Sequence, residues 1–418
     1  MAEIFKNKGW TVTFAGLGIN LALGVLYTWS IYQAIIVESI ESGTGDFTWD
    51  RASVADPYAV CCLVFAFSMI LAGKCQDKFG PRVTALTGGI LVGLGLLLIS
   101  QSTSYVVWIL GFGVLTGAGI GFGYASATPP ALKWFPGART GLIAGLVVAG
   151  FGLAPVYIAP LAAYLVDLWG LQGTMLFFAI AFFIAVSILS RFLINPPAGY
   201  TTTDTVSPSL STTEQAPLPS VPELSGKAVL LTGAFWKLWF LYFIGAGAGL
   251  MVIGNLAGMA KSSMGDAAFI AVAIMAVGNA SGRIIAGVVS DALGRSMALA
   301  IFLGLQALNM FLAIIVVSAE GSIAFFIVLS ATFIGFNYGT NLALFPAFCK
   351  SAWGIKSMGV NYGLLFTAWG VGGFVMTRLS SMLVSSTGSF ASSFLVAGIL
   401  LAIAAIVALR MKEPATTD

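Results

Sequence analysis

The chain has 418 residues; 58% are Ala, Val, Ile, Leu, Met, Phe, Trp, Tyr or Cys, only 8% are Asp, Glu, Lys or Arg, and a further 50 are glycine. Soluble domains carry roughly 25% charged residues, so this composition excludes a water-soluble globule along with disordered, collagen-like and disulfide-scaffold classes. There is no histidine, which removes Ser-His-Asp hydrolysis, a histidine base and histidine metal sites, and a formal charge of +3 is too small to imply nucleic-acid binding.

A membrane-spanning helix needs about 20 mostly apolar residues. Such runs are predicted at 10–37, 53–73, 83–103, 106–129, 140–166, 171–194, 235–260, 267–290, 296–318, 322–347, 358–384 and 389–410. The first is too long for a secretory signal and lacks a small-residue cleavage site, so it reads as a span. After the sixth comes the only long polar stretch, 195–227, rich in Pro, Ser and Thr, which predicts a flexible linker. The expected fold class is therefore an all-α membrane protein with twelve transmembrane helices in two pseudo-symmetric six-helix bundles. The N-terminal bundle is expected over 1–194, the cytoplasmic linker over 195–227 and the C-terminal bundle over 228–418. Cys61, Cys62, Cys75 and Cys349 form no CxxC pair and read as small hydrophobes in packed helices. No cofactor, no metal site and no enzymatic constellation is expected.

The charges orient the chain. Lys6, Lys8, Lys74, Lys78, Arg82, Lys133, Arg139, Arg191, Lys227, Lys237, Arg295, Lys350, Lys356, Arg410 and Lys412 fall on one side of the spans. Only Arg51, Lys261 and, near the end of the eleventh span, Arg378 fall on the other. The positive-inside rule then places both termini and the linker in the cytoplasm.

The halves also repeat. Gly73-Lys-Cys-Gln-Asp77-Lys-Phe-Gly80-Pro-Arg82 follows the second span, and Gly287-Val-Val-Ser-Asp291-Ala-Leu-Gly294-Arg295 follows the eighth. Gly141, Gly145 and Gly152 are echoed by Gly359, Gly363 and Gly370. Two repeats joined by a linker form a transporter architecture, with substrate expected near the midplane between them. This layout and both motif copies resemble the major facilitator superfamily over the whole chain. The resemblance implies a conformational latch at Asp77 with Gly73, Gly80 and Arg82, and a degenerate copy at Asp291 with Gly294 and Arg295.

A finer resemblance follows from Trp134-Phe-Pro-Gly-Ala-Arg139-Thr-Gly141-Leu-Ile-Ala-Gly145, continuing to Gly150-Phe-Gly152. It is similar to the loop 4–5 and helix 5 signature of monocarboxylate transporters, which the oxalate/formate antiporters share. Gly24-Val-Leu-Tyr27-Thr-Trp29, Gly117-Ala-Gly-Ile-Gly121-Phe-Gly-Tyr124, Asn195-Pro-Pro-Ala-Gly-Tyr200 and Asn361-Tyr362-Gly363 resemble the bacterial branch. The resemblance implies secondary active transport of a small monocarboxylate, such as lactate or pyruvate, by alternating access and with a proton. It implies a multi-pass protein of the cell (inner) membrane, working as a monomer in the lipid bilayer.

One cation lies deep in a span: Arg283, in Met275-Ala-Val-Gly-Asn279-Ala-Ser-Gly-Arg283. Placing arginine at a helix centre costs about 2.5–3.5 kcal/mol or more. All 16 acids lie outside the spans or at their ends. Asp291, eight residues on, is about 12 Å away along the helix. Arg283 is therefore expected to lack a protein carboxylate, with a substrate anion as its counterion. The resemblance agrees, since a helix 8 arginine binds the substrate carboxylate in that family.

Asn279 lies one turn away on the same face and is expected to donate to the substrate. The resemblance places a proton-coupling aspartate at this position in the animal transporters, and a lysine where Ile31 stands here. An amide cannot titrate, so a proton would cross paired with the carboxylate as a neutral unit. Trp369 stands where the oxalate antiporters carry a second cation, a lysine. One buried cation suits one carboxylate, because a second anionic group would be uncompensated.

The remaining cavity residues come from stripes at i, i+3/i+4 spacing. They are Tyr27 beside Asn20, Gly24 and Ile31; Tyr124 below Gly113, Gly117 and Gly121; Tyr338 with Asn341 and Phe345; and Phe366 with Tyr362, Trp369 and Gly373. The expected substrate-binding set is Arg283, Asn279, Tyr27, Tyr124, Tyr338, Phe366, Trp369 and Asn341. Pro155 and Pro160 are expected to bend the fifth helix. The alternatives are an organic-anion exchanger of oxalate/formate type and a passive anion channel; the repeated latch motif argues against a channel. Trp369→Lys is expected to admit oxalate-like dianions. Oxalate binding no better than in the parent protein would remove the one-cation argument.

Overall fold

Bare backbone N–H and C=O groups are costly in hydrocarbon, so apolar runs of this length must close their hydrogen bonds internally. The computed structural model describes residues 7–43, 46–136, 139–197, 200, 223–253, 268–318 and 324–411, and there the runs form twelve long helices. α1 is Gly9–Ser42, α2 Asp56–Phe79, α3 Pro81–Ser100 and α4 Tyr105–Lys133. Thr140–Ser190 is broken at Gly170 (φ 68°, ψ 177°), which gives α5 over 140–169 and α6 over 171–190. α7 is Gly233–Ile253, α8 Ala268–Leu293, α9 Arg295–Ser318, α10 Ala324–Trp353, α11 Met358–Thr387 and α12 Ala391–Leu409.

The predicted spans match these helices to within two turns. Predicted residues 254–260, 267 and 322–323 lie outside the described ones, as do Lys6, Lys261 and Lys412. Helical geometry continues through Pro155 and Pro160, and the non-helical residue is Gly170. α11 is less apolar than most of the spans, since it carries Asn361, Arg378 and several serines. Outward-pointing Leu71, Ile188, Ile315 and Ile406 are exposed, as a lipid-facing surface requires.

Two helices change pitch midway. α1 tightens to a 3₁₀ turn over Gly24–Thr28, and α4 widens to a π-helical stretch over Ile109–Thr116. Such departures mark hinges and functional sites; the first carries Tyr27. At the helix ends, Gly80 (φ 84°) and Gly294 (φ 87°) adopt left-handed conformations open to glycine at little cost. They let α2 turn directly into α3, and α8 into α9.

The packing repeats between halves. α1 packs on α5 and α2 on α4, matched by α7 on α11 and α8 on α10. α3 packs on α6 through Gly89 and Gly93, matched by α9 on α12. Two pairs make the closest joins between the two sets, α2 with α11 and α5 with α8. Both depend on glycine near the face rich in lysine and arginine, called here the basic face. A Cβ on Gly73 would lie 2.7 Å from the Val360 nitrogen, and one on Gly141 would lie 2.6 Å from Ser290 Oγ and against the Gly287 carbonyl.

The ends of the predicted flexible linker are packed against the helices. Tyr200 meets Trp134 edge-to-face with ring centroids 4.9 Å apart, and Trp134 Nε1 donates to the Ile194 carbonyl at 2.9 Å. At the other end, Glu223 accepts from the Lys356 N–H at 2.9 Å. Asn361 donates to the Leu224 carbonyl (2.8 Å) and accepts from the Gly226 N–H (3.0 Å). Residues 201–222 lie outside the described ones. Tyr200 and Asn361 belong to motifs picked out in the sequence, and their place is at these anchors.

Gly141→Ala is expected to destabilise the closed α5–α8 contact by about 1–3 kcal/mol, the usual cost of overpacking. Distances between spin labels on the α2–α3 and α8–α9 turns and their partners across the basic face should lengthen in the variant. An unchanged distance distribution would refute the requirement for glycine.

Candidate functional site

Arg283 is completely buried. Its Nε donates to Asn279 Oδ1 at 3.0 Å, and Nη1 donates to the Val148 carbonyl of α5. Nη2 has no partner among the described residues. Room for the guanidinium comes from Gly152, whose Cβ would lie 3.2 Å from Nε and 3.3 Å from Cζ. No described carboxylate pairs with Arg283, as the sequence predicts. The guanidinium is nonetheless held by protein. Asn279 accepts from Arg283 through its oxygen instead of reserving the side chain for a ligand, and a backbone carbonyl takes a second N–H.

The packing repeat locates the counterpart of Arg283. Gly145 abuts the Arg283 carbonyl, and its equivalent Gly363 abuts the Met69 carbonyl, which a Cβ there would meet at 2.5 Å. Met69 is buried and apolar. At this depth the pseudo-symmetric interface thus carries charge on one side only.

An aromatic layer surrounds this region. The Tyr27 and Tyr338 hydroxyls are 2.6 Å apart and share a hydrogen bond, and Trp369 Nε1 donates to the Tyr338 hydroxyl at 2.8 Å. These bonds join α1 of the first set to α10 and α11 of the second. Phe366 stacks on Trp369 (5.1 Å) and lies 5.4 Å from Tyr124 and 5.0 Å from Phe65. Tyr27 meets Phe151 edge-to-face at 4.9 Å. Seven of the eight expected residues therefore gather around one centre.

The eighth, Asn341, does not. Its Nδ2 donates to the Asn337 carbonyl (3.0 Å) and to Gln306 of α9 (3.3 Å), and its oxygen faces Gly245 of α7. It serves packing within the second set, because its side of α10 faces α7 and α9, whereas Tyr338 reaches the interface. Asn20 is likewise structural, donating to the Val147 carbonyl at 2.8 Å.

The structure adds groups that the sequence did not single out. Tyr242 of α7 stacks on Phe345 at 4.0 Å. Its hydroxyl is buried in a cluster with those of Tyr124 and Tyr362, where the three interact with one another. Tyr27, Tyr124, Tyr242 and Tyr338 all lie within electrostatic reach of Arg283. The Nη2 edge of Arg283 is thus a donor in want of an acceptor, with tyrosine hydroxyls around it, which suits an anion. Tyr242 was hidden by its crowded aromatic context, Trp236 to Phe243.

On the basic face, carboxylates cap helix starts across the interface. Asp77 accepts from the Val360 N–H at the start of α11 (3.2 Å). Asp291 accepts from both the Gly141 and Leu142 N–H groups at the start of α5 (2.9 Å each). These N–H groups have no partner within their own helices, and the helix dipole favours an anion there. The expected degenerate copy is therefore the better-bonded contact. Arg295 is buried beside Asp291, whereas Arg82 is exposed and makes no hydrogen bond or ion pair among the described residues. Lys350 of α10 adds a contact unforeseen in the sequence, donating to the Leu132 carbonyl (3.2 Å) and Thr140 Oγ1 (2.9 Å).

Comparison with known proteins agrees with this geometry. The family model described as Major Facilitator Superfamily matches residues 9–377. The oxalate:formate antiporter of Oxalobacter formigenes is 27% identical over 417 residues, covering 98% of this chain and 94% of its own. An uncharacterised transporter of the same superfamily from Escherichia coli (strain K12) is 24% identical, covering 88% of this chain and 86% of its own. Monocarboxylate transporter 13 of Rattus norvegicus is 26% identical, covering 93% of this chain and 86% of its own. Among solved structures, the superfamily transporter FucP in the outward conformation aligns with a TM-score of 0.62 at 15% identity, over 95% of this chain and 98% of that one.

Two hydrogen bonds at 2.9 Å should hold more tightly than one at 3.2 Å. Asp291→Asn is therefore expected to open the basic face more than Asp77→Asn. Alkylation of buried Cys349, with the other three cysteines replaced by alanine, reads the difference. Equal rates in the two variants, or the reverse order, would contradict this ranking.

Proposed function

The chain belongs to the major facilitator superfamily and is a membrane transporter of that type, and from that premise we propose that it carries small monocarboxylates of lactate or pyruvate type. The observation that carries this reading is the unpartnered Nη2 edge of Arg283 in a fully buried setting. A buried guanidinium needs anionic or carbonyl acceptors, and a carboxylate oxygen completes its set. Asn279 fixes the plane of the guanidinium, so that Nη2 presents a defined direction. Tyr27, Tyr338 and Trp369 form a hydrogen-bonded wall, and Phe366 supplies an apolar face for the short carbon chain. Tyr124 lies within reach as a donor to a 2-oxo or 2-hydroxy oxygen.

The single charge sets the substrate's valence. Met69, at the repeat-related position, and Trp369 offer no second cation, so a dianion would leave one carboxylate uncompensated. The superfamily relatives include an oxalate:formate antiporter and monocarboxylate transporters, which supports organic anions as the substrate class.

Transport proceeds by alternating access of two bundles, 1–194 and 228–418, with the basic face cytoplasmic and the protein in the inner membrane. Asp77, Asp291 and Lys350 hold the cytoplasmic side shut. Opening that side requires α5 to leave α8 and α11 to leave α2. Proton symport is the proposed coupling, with the proton carried on the bound acid. Formate-type exchange is the second reading. It is favoured by Asn279, an amide where proton coupling would use a titratable group.

Thermal-shift measurements across a panel of small carboxylates test the reading, since a ligand bound only by the native state raises apparent stability. Lactate or pyruvate should stabilise the wild type. Arg283→Gln should weaken binding by roughly 10- to 100-fold, the equivalent of about 1.5–3 kcal/mol for a hydrogen bond to a charged group. Undiminished lactate affinity in a folded Arg283→Gln protein would sink the proposal. In liposomes, uptake driven by an imposed pH gradient supports symport; counterflow indifferent to pH supports exchange.

A further inference from the structure

A second constellation lies on the opposite face, away from Arg283. A crevice of about 400 Å³ opens between α2, α4 and α11, lined by Asp56, Leu63, Tyr105, Leu110, Phe374 and Arg378. Arg378 is 20 residues along α11 from Met358, so it lies about 30 Å from that end, one hydrocarbon thickness. It therefore emerges at headgroup level. Asp56 starts α2 and Tyr105 starts α4 at the same level. Val106 and Leu110, along the crevice wall, are exposed on the helix exterior, so the crevice opens sideways toward lipid.

The polar groups in it are arranged without neutralising one another. Asp56 accepts from the Tyr105 hydroxyl at 2.8 Å. The Arg378 guanidinium lies over the Phe374 ring at 5.8 Å. Neither belongs to an ion pair among the described residues. A separated acid and guanidinium above an apolar slot match a zwitterion with an acyl tail.

We infer that one phosphatidylethanolamine molecule of the bilayer binds in this crevice, with its phosphate on Arg378, its ammonium on Asp56 and its chain along Leu63, Leu110 and Phe374. A primary ammonium donates hydrogen bonds to a carboxylate, which a quaternary choline group cannot do. An anionic headgroup satisfies Arg378 but meets Asp56 with like charge. Because α2 and α4 lie on one side of the crevice and α11 on the other, the lipid binds this arrangement of the two helix sets and favours it.

Native mass spectrometry of the full-length protein, offered equal amounts of phosphatidylethanolamine, phosphatidylcholine and phosphatidylglycerol with identical chains, tests the site. The ethanolamine lipid should be retained about tenfold over the other two, and Arg378→Gln or Asp56→Asn should each reduce its retention about tenfold, the scale of one charged hydrogen bond. Arg378 is exposed, so its replacement leaves the fold intact. Equal retention of the three lipids, or parental retention in Arg378→Gln, would overturn the assignment. So would full competition by chainless glycerophosphoethanolamine, which would show a headgroup site with no part for the lipid chain.

Discussion

A guanidinium inside a membrane protein must find acceptors, and the rest of the central structure follows from how Arg283 finds them. Asn279 and the Val148 carbonyl take two of its N–H groups, and the Nη2 edge is left. Gly152 and Gly145 exist as glycines because α5 must pass close to the guanidinium and to the Arg283 carbonyl. The acceptor on α5 is the significant one, since α5 and α8 belong to different helix sets. Any motion that parts these helices must break the Arg283–Val148 bond, and a ligand carboxylate can replace the lost carbonyl.

In the proposed transport cycle the same helix pair carries the gate. Asp291 lies eight residues from Arg283, about 12 Å along α8, and grips the first N–H groups of α5. The proposed binding at the centre and the proposed closure at the basic face therefore act on one contact. The α2–α11 pair repeats the glycine packing and the carboxylate cap, with Asp77 on Val360, but places Met69 where the charge would be. The repeat supplies symmetric mechanics; Arg283 and Asn279, against Met69 and Phe65 in the other copy, supply chemical polarity.

Much of this was legible in the sequence. Spans of about 20 apolar residues are fixed by bilayer thickness, so all twelve helices were readable to within two turns. Arg283 stood out by depth alone, and the two aspartate motifs by repetition. What escaped was non-local. Helical periodicity says that Tyr338 and Asn341 lie near one face, but cannot say which of them reaches the interface; Asn341 instead faces Gln306. Lys350 read as one more topological charge, because nothing local reveals that it reaches Leu132 and Thr140. Asp291, in the poorer copy of the motif, makes the better contact, since bond number depends on where α5 begins. The linker's polar composition concealed that its ends pack on Trp134 and Asn361.

The central claim is that the charge on the ligand is read by Arg283. It is tested most directly by a calorimetric cycle with lactate and its neutral amide, each titrated into the wild type and into Arg283→Gln. Lactate should bind the wild type at least about tenfold more tightly than the amide, and the preference should disappear in the variant. The same lactate-to-amide ratio in both proteins would contradict the account.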